Sequence, residues 1–212
     1  MTDNKHTEDK EKILKYSSNK FHKEGFYKIS MDEIASELCV SKKTIYKYFP
    51  SKERLLEEIC SDTSCEVMHK IEVIIEGKED VVVKFVKLLN MLSNFNMNIS
   101  EKWLKDLSIH APDIKKNIDE MKNQQINKVF KKLLEQGKKE KLIENYPTPI
   151  IITSFNASLM SVLNVDFLIN NKFSMHNAFK ITYQMLLNGI LTEAGKEKFK
   201  KTKVLLAKEI KL

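Results

Sequence analysis

The sequence has little glycine, proline or cysteine, and these shortages narrow the folds open to it. Five glycines and four prolines occur in 212 residues, whereas lysine, glutamate, leucine and isoleucine are abundant. This composition predicts an all-α protein. The three cysteines (Cys39, Cys60 and Cys65) are odd in number and form no CxxC pair, so a reducing cytoplasm is indicated. We expect them to be buried structural thiols, with a redox switch as the alternative.

The sequence also lacks the motifs of membrane proteins and of enzymes. No secretory signal and no run of about twenty apolar residues occurs, so we expect a soluble cytoplasmic chain that does not enter a membrane. The five histidines have no metal-ligand spacing, and both the nucleophile elbow and the glycine-rich phosphate loop are absent. We therefore expect no enzymatic activity, no metal and no cofactor. The net charge of +7 favours a polyanionic partner.

Residues 30–54 are the most informative stretch, because two short helical patterns follow one another there. The first has the i, i+3, i+4, i+7 spacing of one apolar face: Met31, Ile34, Ala35 and Leu38. Ser30 and Glu33 form a capping box at its start. Ser41 can cap a second helix over residues 42–49, which Pro50 ends. Two helices joined by such a short turn form a helix-turn-helix unit.

The second of these helices has a basic outer face. Ile45 and Phe49 fall together and must point inward, which leaves an outer face with no carboxylate. Such a face suits double-stranded DNA, since ammonium and hydroxyl groups reach phosphates and base edges. A solvated basic face is the alternative. The residues predicted to contact DNA are Tyr27, Ser30, Ser41, Lys42, Lys43, Thr44, Tyr46, Lys47, Tyr48 and Lys52.

Two kinds of contact are expected within this set. Lys43 and Thr44 are predicted to reach base edges, while the phosphate contacts come from Lys42, Tyr46, Lys47, Tyr48 and Lys52. Tyr27 and Ser30 lie at the start of the first short helix, where free amides favour a phosphate. A packed rim position is an equal alternative for Tyr27.

Residues 25–55 resemble the DNA-binding domain of the TetR family of bacterial transcriptional repressors. The resemblance rests on Phe21-x3-Gly25-x4-Ser30-x3-Ile34-Ala35 and on Val40-Ser41-Lys42-x-Thr44-Ile45-Tyr46-x-Tyr48-Phe49-x-Ser51-Lys52-Glu53-x-Leu55. Two positions depart from the family pattern. Cys39 stands where glycine is usual, so a non-glycine residue at positive φ is expected in the turn, and Lys43 stands where a small residue is frequent.

The resemblance implies a repressor that binds a palindromic operator as a homodimer and is released by a small, mainly apolar effector. We expect an N-terminal three-helix helix-turn-helix domain over residues 1–54. A C-terminal helical domain for ligand binding and dimerisation is expected over residues 55–212. The further helical patterns span residues 7–24, 51–75, 79–96, 100–109, 112–140, 148–169 and 174–194.

The pattern over residues 148–169 is nearly uncharged, with Asp166 as its one ionised side chain. A surface helix would show a wide polar face, so this helix is expected to pack against its own domain and against a second chain. With residues 174–194 it resembles the four-helix dimer interface of the family, and a central core helix is the alternative. The predicted interface residues are Ser154, Ala157, Ser158, Ser161, Leu187 and Leu191.

A pocket for a small hydrophobic effector is expected in the C-terminal domain. Bulky apolar side chains with a few polar groups among them suit an orienting ligand site. The alternative is an ordinary core whose amides are satisfied internally. The predicted pocket residues are Phe85, Trp103, Met121, Gln125, Phe155, Asn156, Met160 and Leu163.

Two other functions compete with DNA-binding regulation. A helical ligand-binding or membrane-surface protein would use its basic faces on anionic lipid, but here the basic residues cluster on a helix-turn-helix. A thiol-based redox-sensing regulator would require at least one of the three cysteines to be exposed.

Overall fold

The described part of the chain is a set of helices without a sheet. A computed structural model of the chain describes residues 2–209, and for residues 2–7, 122, 123, 125 and 206–209 it describes the backbone alone. Within that range the predicted all-α fold is confirmed. The helices described are α1 (Thr2–Glu24), α2 (Met31–Glu37), α3 (Lys42–Tyr48), α4 (Lys52–Glu76), α5 (Val81–Met97), α6 (Glu101–His110), α7 (Pro112–Lys139), α8 (Thr148–Val162), α9 (Val165–Asn171), α10 (Met175–Ile190) and α11 (Glu193–Glu209).

These helices form two compact units, and each unit is discontinuous in sequence. Unit 1 contains the chain up to Val67 together with Asn98–Glu120. Unit 2 contains Met68–Met97 together with the chain from Met121 onward. The predicted boundary between residues 54 and 55 does not coincide with a limit of these packed units, and it stays a prediction.

The core of unit 1 joins α6 to the helix-turn-helix. Phe21, Ile34 and Ile45 are fully buried in it together with Phe49, which caps the C-terminus of α3. Trp103 of α6 is part of the same core, where its ring meets Phe26 edge-on with the centroids 5.7 Å apart. The first four helices and one helix from much later in the sequence therefore share one hydrophobic core.

Unit 2 is built around α5, which packs against α10 and α11, while α10 also packs against α8. A cluster of aromatic rings lies at its centre. Phe130 joins Phe85 and Phe155, at centroid distances of 5.7 and 4.7 Å. Tyr183 closes the cluster, and its hydroxyl donates to the carbonyl of Phe85 at 3.3 Å. Full burial raises the pKa of Tyr183 because the phenolate would be desolvated.

A buried lysine ties the end of α4 to α5 and α7 within unit 2. The Lys84 ammonium donates to the carbonyl of Ile75 at 2.6 Å and to the side-chain oxygen of Gln136 at 2.9 Å. Gln136 donates in turn to Glu140 at 2.6 Å, and Glu140 accepts the amide of Val81 at 2.9 Å. Because these groups are partnered, the network fixes the last turn of α4 without leaving a buried polar group unsatisfied.

Two of the predicted helices are interrupted in the structure. The helix predicted over residues 148–169 is broken, because Asn164 caps a new helix by accepting the amide of Asp166 at 2.9 Å. The helix predicted over residues 174–194 ends at Ile190, because Leu191 is extended and pairs with Ile143. Among the described residues no single helix is long and apolar enough to cross a bilayer. The α8–α9 pair, bent by 60°, reaches that length and composition only when taken together.

The turn between α2 and α3 contains a residue in the left-handed region. Cys39 has a φ of +55°, which confirms the expectation of a non-glycine residue at positive φ. The amide of Val40 donates to the carbonyl of Ala35 at 3.0 Å and so closes the end of α2. A residue with a Cβ atom pays about 1–2 kcal/mol for the left-handed conformation.

We expect Cys39→Gly to increase the free energy of unfolding by about 0.5–1 kcal/mol, because relief of this strain exceeds the added entropy of the unfolded chain. Urea unfolding measures the change. Cys39→Ala is the matched control, since alanine removes the thiol and keeps the Cβ atom. Equal stability of the glycine and alanine variants would contradict strain at this position.

Candidate nucleic-acid interface

Both short helices of the helix-turn-helix begin at a serine cap. The Ser30 hydroxyl accepts the amide of Glu33 at 3.1 Å, and the Ser41 hydroxyl accepts the amide of Thr44 at 3.0 Å. These bonds satisfy amides that a helix start otherwise leaves unpaired. The caps set where each helix begins, and burial of Ile45 sets which face of α3 points outward.

The outer face of α3 presents cations and hydroxyl groups. Lys43, Tyr46 and Lys47 are exposed, and the Lys47 ammonium lies 5.6 Å from the centroid of the half-buried Tyr48 ring. Among the described side chains, Lys43 has no hydrogen bond or ion pair. An unpaired exposed ammonium has no local partner to give up when it binds an anion.

Two of the predicted contact residues are engaged with the protein itself. The Lys42 ammonium lies 2.5 Å from a carboxylate oxygen of Asp32, and this hydrogen bond raises the pKa of Lys42. Exposed pairs of this kind contribute little to stability, so a phosphate can replace the carboxylate. The hydroxyl of the half-buried Thr44 lies 2.7 Å from that of Ser41. A base contact by Thr44 therefore requires its methyl group or an exchange of this bond.

The two glutamates of α2 are held by a lysine of α1. The Lys20 ammonium lies 3.0 Å from Glu33 and 2.9 Å from Glu37. Its hydrogen bonds to Glu37 and Glu33 raise the pKa of Lys20. Hydrogen bonds from Tyr16 and Lys20 lower the pKa of Glu37. These carboxylates are thus partnered on the α1 side of the helix-turn-helix and leave the face of α3 basic.

Tyr27 is 55% exposed and is positioned by α4 and α6. Its amide donates to the buried carboxylate of Asp106 at 2.8 Å, and its carbonyl accepts the Lys52 ammonium at 2.8 Å. Its ring stacks on His110, with the centroids 3.5 Å apart and the planes at 8°. Asp106 and His110 were absent from the predicted site, because their proximity to Tyr27 depends on packing across about eighty residues of sequence.

Lys52 differs from its predicted role as a phosphate contact. Its side chain is half-buried, its ammonium bonds to the carbonyl of Tyr27, and it lies 5.7 Å from the centroid of the Phe26 ring. Burial lowers the pKa of Lys52, since the charged form loses hydration. In this conformation Lys52 is a positioning residue for the turn before α2.

The outward faces of α8 and α10 are exposed among the described residues, and α8 contains no charged side chain. Within its own unit α8 buries only Ile151 and Phe155 among its residues, all of which are described. Ser154, Ala157 and Ser161 are exposed, and Ser158 is half-buried. Large exposed apolar side chains on these two helices are Ile150, Met160, Ile181 and Met185.

Two residues predicted for the dimer interface do not lie on this surface. Leu187 is 0% exposed and Leu191 is 1% exposed, so both belong to the core of their own unit. The residues of α10 that point outward include Ile181, Met185 and Asn188, which lie on the other side of the helix from Leu187.

The residues predicted for the effector pocket do not come together as one set. Phe85 and Phe155 meet in the aromatic cluster of unit 2 through Phe130. The placement of Trp103 in that pocket is wrong, because Trp103 belongs to the core of unit 1 and stacks edge-on against His22.

The remaining predicted pocket residues are dispersed. Met121 and Met160 are exposed and Leu163 is half-buried. Asn156 donates to Asn127 at 2.7 Å, so this amide has an internal partner. The side chain of Gln125 lies outside the described residues. Sequence reasoning missed Phe130 and Tyr183, although both aromatic residues fall on apolar faces of their helices.

The cysteines are less buried than expected. Cys60 is buried, whereas Cys39 and Cys65 are exposed, and none of the three forms a disulfide. The expectation of buried structural thiols is therefore wrong for Cys39 and Cys65.

Comparison with known proteins relates both the N-terminal region and the whole fold to transcriptional regulators. Residues 13–59 match the family described as bacterial regulatory proteins, tetR family. The HTH-type transcriptional regulator YerO of Bacillus subtilis is 42% identical over 74 residues, which span 34% of this chain and 26% of YerO. The HTH-type transcriptional regulator YvaF of the same organism is 22% identical over 172 residues, covering 81% of this chain and 90% of YvaF.

A solved structure extends the likeness of fold to nearly the whole chain. A transcriptional regulator from Saccharomonospora viridis in complex with choline superposes with a TM-score of 0.67, at 17% identity, over 88% of this chain and 100% of that one. The capped helix-turn-helix, its basic outer face and the family match together identify residues 13–59 as a DNA-binding domain of the tetR family of bacterial regulatory proteins, and the likeness over nearly the whole chain is one of fold.

Proposed function

We propose that the chain is a ligand-responsive repressor that binds a palindromic operator as a homodimer in the cytoplasm. The observation that carries this proposal is the outer face of α3, where exposed Lys43, Tyr46 and Lys47 stand on a helix fixed by a cap and by buried Ile45. A short, rigid and basic helix is suited to the major groove, where phosphate contacts orient it and base contacts select the sequence.

The residues of this face divide into two roles. Lys42, Tyr46, Lys47 and Tyr48 lie where they can bind phosphates on either side of the groove, which gives affinity without sequence preference. Lys43 is exposed and unpaired among the described residues, and this supports contact with an acceptor on a base edge, such as those of guanine. Binding is therefore expected to weaken steeply as salt concentration increases.

Substitution of the two lysines tests this division of roles. Lys43→Ala should relax the preference at one base pair of each half-site by about 1–3 kcal/mol, because a base contact is lost. Lys47→Ala should weaken binding to all duplexes alike and reduce the salt slope by about one per lost contact. Fluorescence anisotropy with the preferred duplex and its single-base variants measures both effects.

Lys131→Ala, which removes an exposed charge from unit 2, is the matched control and should change neither quantity. An unchanged base preference in Lys43→Ala would remove Lys43 from the base-reading role.

A homodimer is supported by the uncovered faces of α8 and α10. Ser154, Ala157 and Ser161 form a stripe of small side chains along α8, beside exposed Ile181 and Met185 of α10. An apolar surface without charges is typical of a protein interface, and small side chains let helices approach closely. A two-fold homodimer contains two copies of α3, one for each half-site of a palindrome.

A charge placed on the α8 stripe tests the interface. Ala157→Glu should convert the dimer to a monomer, because two carboxylates would meet near the two-fold axis in a dry contact. Sedimentation velocity measures the assembly, and DNA affinity should decrease in parallel. Gln124→Glu, at an exposed position of α7, is the matched control and should stay dimeric. If Ala157→Glu also stayed dimeric, the interface would have to lie elsewhere.

An effector site in unit 2 is supported by its aromatic cluster and by an unpartnered polar residue on the same buried face of α5. Phe85, Leu89 and Ser93 follow one another on the buried face of α5. Ser93 is 5% exposed, and its hydroxyl has no partner among the described residues. Phe130 and Phe155 belong to the same aromatic cluster as Phe85. Apolar rings and an available hydroxyl are the groups that suit an orienting ligand site. The choline complex of the Saccharomonospora regulator is consistent with a small-molecule effector for this fold.

A compound screen tests the site. Apolar and amphipathic compounds that raise the melting temperature should include one that releases DNA, provided that it binds the released form more tightly. Phe155→Leu and Ser93→Ala should each lower the affinity for that compound, as measured by calorimetry. Trp103→Phe in the core of unit 1 is the matched control and should leave its affinity unchanged. If both unit 2 variants bound the compound with wild-type affinity, this site would be excluded.

A further inference from the structure

We propose that His110 of α6, outside the helix-turn-helix, is a positioning residue for DNA binding because it holds the side chain of Tyr27. The two rings are stacked and nearly parallel, with an angle of 8° between their planes and a centroid separation of 3.5 Å. Both residues are exposed, so burial in the core does not account for their contact. This inference rests on the proposed function, in which Tyr27 contacts DNA.

The backbone of Tyr27 is fixed on both sides of its side chain. Asp106, one turn before His110 on α6, accepts the Tyr27 amide at 2.8 Å, and Lys52 of α4 donates to the Tyr27 carbonyl at 2.8 Å. Gly25 lets α6 come this close, since a Cβ atom there would lie 2.5 Å from the Asp106 carboxylate. With both peptide groups held, rotation of its own side chain is the main freedom left to Tyr27, and the His110 ring restricts it.

The restriction matters because the Tyr27 hydroxyl is available. This exposed group has no hydrogen-bond partner among the described residues, so it can donate to a phosphate oxygen without breaking a bond in the protein. An exposed tyrosine that must be ordered on binding loses rotamer entropy at that moment. Stacking on His110 orders the Tyr27 ring before DNA binds. The DNA affinity is therefore higher, because this rotamer entropy is not lost on binding.

Stacking requires a flat ring and not the ring nitrogens of histidine. A direct contact between a protonated His110 and a phosphate would instead add a counterion-release contribution. Phenylalanine can therefore replace His110 if the residue acts by stacking, but not if it binds a phosphate directly. The two roles also differ in how the DNA affinity depends on salt.

The experiment measures binding of the full chain to a duplex that the wild-type protein enriches from a random-sequence pool. The dissociation constant is measured at several potassium chloride concentrations for wild type and variants. The variants are His110→Ala, His110→Phe, Tyr27→Ala and the double variant Tyr27→Ala/His110→Ala. Ser108→Ala, at an exposed neighbour on α6 whose hydroxyl bonds to the carbonyl of Leu104, is the matched control. Circular dichroism and urea unfolding confirm that each variant is folded.

His110→Ala should weaken binding about three- to tenfold per half-site, the range expected for one side chain that must be ordered on binding. His110→Phe should restore the affinity, and the salt slope should stay that of wild type. In the Tyr27→Ala background, loss of His110 should have no further effect, because the residue acts through Tyr27.

Three results would overturn the positioning role. These are wild-type affinity in His110→Ala, equal weakness of His110→Phe and His110→Ala, and equal weakening by His110→Ala with and without Tyr27. Failure of the wild-type protein to enrich any duplex would overturn the proposed function instead, so the two failures are distinguishable.

Discussion

The helix-turn-helix depends on burial, because its helices are too short to be stable alone. α2 and α3 have seven residues each, whereas isolated helices shorter than about 12–15 residues are marginal in water. Two caps satisfy amides at the helix starts, but the main stabilisation comes from side chains such as Ile34 and Ile45. Full burial of a side chain of this size contributes about 1.5–3 kcal/mol. The outer face of α3 is therefore only as well positioned as the core beneath it.

This dependence gives α6 a part in recognition, although none of its residues enters the helix-turn-helix motif. Trp103 belongs to the same core, and Asp106 bonds to the turn that precedes α2. Residues on the outer face of α3 can change with the operator, because they contribute little to the packing. Residues at the contact with α6 lack that freedom, since a change there alters the support of every DNA contact at once. The exposed residues of α3 and the residues that support the helix are thus different residues of one small unit.

Sequence patterns predicted well where the determining contacts are local. Ser30 and Ser41 sit within three residues of the amides they accept, and the unusual φ at Cys39 followed from a single position of the turn. Prediction was wrong where distant contacts decide. The helix through Leu191 ended because Ile143 pairs with it, and Trp103 was placed in the wrong unit because its apolar character does not specify which core it joins. The stack between Tyr27 and His110 has no local signal at all.

The discontinuity of unit 1 has a consequence for anyone who recombines such regulators. A cut after the helix-turn-helix and the first part of α4, near Val67, follows the order of the sequence but leaves Asn98–Glu120 behind. The excised fragment would expose the apolar surface around Phe26 that Trp103 covers, and it would invite aggregation. A chimera that joins this N-terminal fragment to the C-terminal domain of another regulator would have poorly matched side chains at the same contact. The unit that can be transferred therefore consists of two segments, the chain up to Val67 and Asn98–Glu120. The second segment must be inserted between the fifth and seventh helices of the recipient protein.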